Sequence, residues 1–289
     1  MHVRLLAGAA LALLAAAPAC AADPAEPSGP APPVPQPIAA RRNSVTIGLG
    51  AAWLPTYEGS NDYSLTPVVF AFGKVAGIGF ATRGTTLYVD LIPSDAKSPF
   101  SFEGGPVGNL RLDRSRKVVD RQVSRLGTIG PAVELGFYAG ITKNRVLHGY
   151  DTLNLRVAVT RDVTDTHGST LVSPSVEYMT PLSHRTAVSL SASADHVGTG
   201  FARTYYGIDA AGSARSGLPV YAAEGGWKSW RANLVLAHVL SGDLENPHLS
   251  AFAALSYSRV LGDFARSPVV ALVGDPDQYA AGGGLAYSF

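Results

Sequence analysis

From residue 44 to the carboxy terminus the chain repeats one pattern: segments of about ten residues in which apolar side chains alternate with small or polar ones. Alternation with period two places the two sets on opposite faces of a strand. In one such segment Val45, Ile47, Leu49, Ala51 and Trp53 share a face, with Thr46, Gly48, Gly50 and Ala52 opposite. In another, Leu153, Leu155, Val157 and Val159 oppose Asn154, Arg156, Ala158, Thr160 and Asp162. A third sets Val188, Leu190, Ala192 and Ala194 against Ser189, Ser191, Ser193 and Asp195. A soluble β-sandwich alternates in the same way, but Arg156 and Asp195 are awkward in a sandwich core and natural in a polar lumen. The segment length is that of a tilted strand crossing a hydrocarbon layer.

Twelve segments qualify: 44–54, 64–72, 75–81, 85–92, 100–110, 131–140, 152–162, 169–181, 186–197, 227–240, 248–260 and 278–289. The third, fourth and tenth carry the weakest pattern. An even count returns the carboxy terminus to the side of the amino terminus, as single-chain bacterial barrels require. Gly73-Lys74 and Ser183-His184-Arg185 read as tight periplasmic turns, and 111–130, 198–226 and 261–277 as long extracellular loops. An open sheet edge in lipid leaves backbone groups unsatisfied, so the sheet must close. The expected fold is all-β, a transmembrane antiparallel β-barrel of about twelve strands, with ten to fourteen compatible with the pattern.

The last strand carries an additional signal. Tyr279, Ala281, Gly283, Leu285, Tyr287 and Phe289 line one face, and the chain stops on the aromatic Phe289. Tyr279, Leu285, Tyr287 and Phe289 look like the terminal signal that presents outer-membrane barrels to the barrel-assembly machinery. Gly282-Gly283-Gly284 marks a kink or a close backbone approach in this strand. Trp53, Tyr57, Phe70, Phe72, Tyr88, Tyr178, Trp230, Tyr257, Tyr279, Tyr287 and Phe289 lie mostly near strand ends, where interfacial girdles are expected.

The amino terminus accounts for export. His2 and Arg4 precede the apolar run Leu5 to Ala17, too short for a membrane helix and followed by small residues, so 1–21 reads as a secretory signal peptide. Cleavage after Ala19 or Ala21 fits an Ala-x-Ala pattern. The single cysteine, Cys20, lies at this junction; Pro18 and Ala17 depart from a lipoprotein signal, and lipidation stays an alternative. Residues 22–43 are rich in Pro and Ala and read as an extended, disordered periplasmic lead. Residues 44–289 form the barrel. The charged fraction of 16% is below the roughly 25% of soluble domains, as a lipid-facing belt requires. A net charge of +1 gives no electrostatic case for nucleic acid.

No sequence motif for a metal, cofactor or nucleophile emerges, so no catalytic residue, metal ligand or cofactor is assigned. Asp162, Asp165 and His167 beside Ser169 have the composition of a hydrolase site, but 164–168 joins two strands and reads as a polar turn. The basic segment 111–125 has two readings: it grips lipopolysaccharide phosphates, or it is a solvated loop or short helix with Val118, Val119 and Val123 turned inward. The second is favoured, because Asp113 and Asp120 partly neutralise it.

Several ordered motifs resemble the MipA/OmpV family. Pro55, Tyr57, Gly59 and Ser60 fit its Pro-x-Tyr-x-Gly-Ser turn, and Glu134 with Gly136 its Glu-x-Gly strand. Tyr205, Tyr206 and Gly207 look like its Tyr-Phe-Gly, with Tyr206 in place of the commoner Phe; Ser216-Gly217-Leu218 fits its Ser-Gly-Leu. Gly262, Asp263, Ser267 and Pro268 fit the segment before the last strand. The resemblance covers nearly everything after residue 43. It implies a non-enzymatic, monomeric outer-membrane protein contacting lipopolysaccharide. Its named member is a scaffold linking a lytic transglycosylase to a penicillin-binding protein in peptidoglycan biogenesis. Rival readings are a narrow pore, with Arg156, Glu177 and Asp195 filling the lumen, an adhesin-like surface protein, and more remotely a lipid hydrolase.

Overall fold

The computed structural model describes residues 43–93, 98–116 and 118–289. The expected signal peptide, Cys20 and nearly all of the Pro-rich lead lie outside them.

Twelve strands form a closed antiparallel barrel. They are β1 (Ser44–Pro55), β2 (Tyr63–Val75), β3 (Ile78–Arg83), β4 (Thr86–Asp90), β5 (Phe100–Arg111) and β6 (Ala132–Asn144), then β7 (Thr152–Asp162), β8 (Thr170–Pro181), β9 (Thr186–Val197), β10 (Gly226–Gly242), β11 (Pro247–Val260) and β12 (Asp277–Ser288). Each pairs with its sequence neighbour, and β12 closes on β1 from Thr46↔Ser288 to Trp53↔Ala281. The seam is locked at its lower end by the Thr46 and Ser288 hydroxyls, 2.8 Å apart, and by the Phe289 N–H on the Val45 carbonyl. Closure gives every strand a partner on both sides over at least part of its length, as a lipid setting demands. No helix among the described residues is long and apolar enough to cross a membrane.

The alternation sorts outside from inside as expected. Ile47, Leu49, Leu155, Val157, Val159 and Leu285 are exposed on the outer face, where an aqueous setting would be unfavourable at about 25 cal/mol per Å² and lipid is not. Arg156 and Asp195 point into the lumen, where each meets an opposite charge. The upper rim bears outward aromatics: Trp53 stacks on Tyr63, and Tyr257 lies against both Trp230 and Tyr279. Tyr287 and Phe289 pair at the lower end. Tyr57, Phe70 and Phe72 do not join these girdles as expected: all three are buried, and Tyr88 packs inward on Tyr138. Proximity to a strand end does not reveal which face a side chain occupies.

Two further expectations are corrected. Gly73 and Lys74 are not a turn but ladder residues, paired with Phe80 and Gly79. The turn is Ala76-Gly77, with φ of 53° and 87°; positive φ at both central residues matches the right-handed twist of the flanking strands. Val119 is exposed, whereas Val118 and Val123 are buried, because the helix α1 (Arg121–Arg125) starts only after Val119 and turns Val123 alone inward. Pro174 interrupts the β8–β9 ladder between Val172↔His196 and Ser175↔Ser193, consistent with its missing donor.

With the termini on the side of the short turns, the long connections 56–62, 112–131, 163–169, 198–225 and 261–276 all lie at the opposite, extracellular end. They carry α1 and four more short helices: α2 (Thr199–Tyr206), α3 (Ala210–Ser216), α4 (Gly262–Arg266) and α5 (Pro268–Ala271).

Candidate functional site

The extracellular loops build a hydrophobic core of their own across the barrel mouth. Tyr57, Val123, Phe201, Tyr206, Leu218, Phe264 and Val270 belong to one buried cluster drawn from four connections. Helices this short are not stable alone and hold their shape through such packing. The 55–60 turn is stitched to the last loop. Tyr57 donates its hydroxyl to the Val269 carbonyl at 3.1 Å, and Gln278 accepts from the Gly59 N–H and donates to the Ser60 carbonyl. Gly59 adopts φ 97°, and a Cβ there would lie 2.6 Å from Val270 Cγ2. Ser267 donates to the Tyr206 carbonyl at 2.6 Å, and the Tyr206 ring meets Phe264 edge-on. Arg114, with φ 54°, lies buried and donates to the Tyr205 carbonyl. Burial pushes the Tyr57 and Tyr206 hydroxyls above the usual phenol range and lowers the Arg114 guanidinium.

Beneath this cap lies a chamber of about 300 Å³ in the upper lumen, of mixed lining that includes several charged side chains. Its roof is tied to its walls by ions. Lys228 of β10 holds both carboxylate oxygens of Glu58, at 2.6 and 2.8 Å, and sits 3.4 Å from Asp195 of β9. Phe201 of α2 covers Arg111 and Lys228, whose charges lie 4.8 and 5.5 Å from its ring centre. Glu134 of β6 accepts from Arg111 Nε at 2.6 Å, Asn109 at 2.9 Å and His167 Nε2 at 3.2 Å. On the periplasmic side a strut crosses the lumen. Arg83 of β3 pairs with Glu177 of β8 at 2.8 Å, five strand steps apart in a ring of twelve. Glu103 and Arg156 form a second, bidentate pair at the same end. Pairs this well shielded stand only because each partner satisfies the other.

The structure brings most of the motif residues together. Tyr57, Gly59, Ser60, Tyr205, Tyr206, Gly207, Gly262, Asp263, Ser267 and Pro268 lie in or beside the cap, with Pro55 leading into it. Glu134 and Gly136 instead lie in the wall below, where a Cβ on Gly136 would fall 1.9 Å from the Val159 carbonyl oxygen. Tyr279, Leu285, Tyr287 and Phe289 are on the lipid face of the closing strand and take no part in the chamber. The 163–169 turn is present as expected, and His167 and Ser169, with Asp162 beside them, are buried under α2. The His167 Nδ1 accepts from the Ser169 N–H, which leaves Nε2–H to donate to Glu134. The Ser169 hydroxyl accepts from the Phe201 N–H at 2.8 Å and donates to the His167 carbonyl, so the imidazole does not activate it. Sequence reasoning missed Glu58, Arg83, Glu103 and Lys228 as lumenal residues. For Arg83 and Glu103 the available signal was a charge at an inward position of a strand; for Glu58 it was a free position inside a recognised motif.

Comparison with known proteins follows the same lines. The family model described as "MltA-interacting protein MipA" matches residues 47–289. Among curated proteins no sequence matches the chain. Among solved structures the chain is similar to an outer membrane channel from Pseudomonas putida F1, at 12% identity over 93% of this chain and 100% of that one, with a TM-score of 0.40. It is also similar to the outer-membrane OmpT of Vibrio cholerae, at 10% identity over 86% of this chain and 99% of that one, with a TM-score of 0.40. Likenesses at this level carry nothing about chemistry, and the family model carries the assignment. This chain is an outer-membrane β-barrel belonging to the MipA family.

Proposed function

We propose that this protein is a non-enzymatic docking protein of the outer membrane that holds cell-wall enzymes at its periplasmic face. What supports the reading is a lumen obstructed at both ends of its chamber, by the loop core above and the Arg83–Glu177 strut below. A barrel so filled acts through its surfaces. The family description names a partner, MltA, and we carry that class of partner, a lytic transglycosylase, to this chain. A penicillin-binding protein joined through the same barrel completes the scaffold for peptidoglycan biogenesis. The periplasmic turns, such as 182–185, and the lead preceding β1 are the docking elements. Pull-down of a lytic transglycosylase by the purified barrel tests this. Recovery that falls on deletion of the lead or replacement of the 182–185 turn supports it; no recovery by the intact protein contradicts it.

A second reading, a gated pore, is favoured by one observation: a chamber lined in part by charged side chains is roofed by loops rather than strands. Conductance across a planar bilayer separates the two.

A further inference from the structure

Between cap and strut, one wall of the chamber is discontinuous. β1 pairs along the whole of β2, from Ser44↔Lys74 to Pro55↔Tyr63, whereas β3 pairs with β2 only from Phe72↔Ala81 to Val75↔Ile78. The ladder stops where the Ala71 N–H goes to the Thr82 hydroxyl at 2.8 Å instead of a backbone carbonyl. Above that point β2 has no partner strand on this side. Backbone polar groups alternate sides along a strand, so with Ala71 turned toward β3, Leu65, Pro67 and Val69 face the gap. Proline at the middle position removes one N–H that would otherwise stand unpaired. The remaining groups border a hydrocarbon layer, where an unpaired edge requires a polar occupant.

The chamber reaches this gap. Pro67 and Val69, both on the lipid face and the latter 63% exposed, border the same space as the inward-facing Lys228, Arg231 and Asp195. Trp53 and Tyr63, stacked at the top of β1 and β2, set the opening near the headgroup end of the outer leaflet. Inside it, Thr66 Oγ1 and Asn233 Oδ1 are buried without a hydrogen-bond partner, on residues only 6% and 7% exposed. Arg231 acts electrostatically on Asp195 but makes no ion pair or hydrogen bond at bonding distance among the described residues, unlike Arg83, Arg111 and Lys228 around it. Buried polar groups are normally satisfied; the two buried oxygens and the half-buried Arg231 border one cavity. A guanidinium fork suits a phosphate, and an amide oxygen suits a hydroxyl donor. A volume of about 300 Å³ holds a small headgroup at the low end of ligand sites, leaving an acyl chain outside on the apolar rim.

We propose that the gap is a side port through which an outer-leaflet phospholipid seats its headgroup in the chamber, phosphate on Arg231 and hydroxyl on Asn233, with its ester oxygens against the unpaired backbone of β2 and its chain outside on the Leu65 and Val69 side chains. Native mass spectrometry of the full-length barrel with lysophosphatidylglycerol tests it, with glycerol phosphate as the soluble form of the same headgroup. The expected result is a one-to-one lipid adduct that equimolar glycerol phosphate does not displace. Arg231→Gln and Val68→Trp, the latter filling the mouth of the port, each weaken it at least tenfold. Heat-modifiable migration confirms that both variants fold; Val68→Phe replaces Val68→Trp if that variant does not. Either folded variant binding like the parent overturns the proposal. So does displacement by glycerol phosphate, which assigns the chamber to a soluble anion.

Discussion

Glu134 shows how a single side chain joins barrel wall and cap. It accepts from Asn109, Arg111 and His167 while 1% exposed. Glu134→Ala leaves Arg111 without its acceptor in a shielded site, at a cost of about 3–5 kcal/mol. The urea midpoint of unfolding should fall accordingly, and Glu134→Gln, which keeps an acceptor oxygen, should lose less. In the cap, Tyr57→Phe removes one hydrogen bond to the Val269 carbonyl, worth about 1 kcal/mol. Gly59→Val meets both a positive φ and the Val270 side chain, so protease cleavage within the cap loops should rise far more in Gly59→Val than in Tyr57→Phe. The sequence marked Glu134, Tyr57 and Gly59 as motif positions but not their partners, which lie in distant segments. The burial of His167 and Ser169 was not legible, because α2, the element that covers them, lies beyond the local pattern of 163–169.

At the scale of elements, the strands were legible, and of the helices only α1 was, as one option for 111–125. Expected and observed strand ends differ by only a few residues, because one face in lipid and one in a lumen impose strict alternation over each crossing. The loop helices span four to eight residues, too few for a helical period to show. Their order depends on contacts such as Asp263, which accepts from the Glu224 N–H and from Arg266. Those bonds hold the Asp263 carboxyl below the usual carboxylate range, the Glu224 N–H contributing most and Arg266 next. A lowered folded value means that the stabilisation is complete above the ordinary value of about 4 and is lost as pH falls through the folded one. Proteolysis of 198–225 and 261–276 should therefore accelerate below about pH 4, and Asp263→Asn should flatten that dependence.

For the whole molecule, a dozen amphipathic segments together with the ordered family motifs anticipated a closed barrel. Whether the barrel is open was not written locally. The cap assembles from four separate connections, and the strut joins strands nearly opposite each other in the ring. These long-range meetings obstruct the lumen above and below its chamber, and the docking role rests on that obstruction. The most direct test is single-channel recording of the purified protein in a planar bilayer at neutral pH. The parent protein should insert without conductance steps. Reproducible steps from the intact, folded barrel would contradict the obstructed lumen and favour the pore.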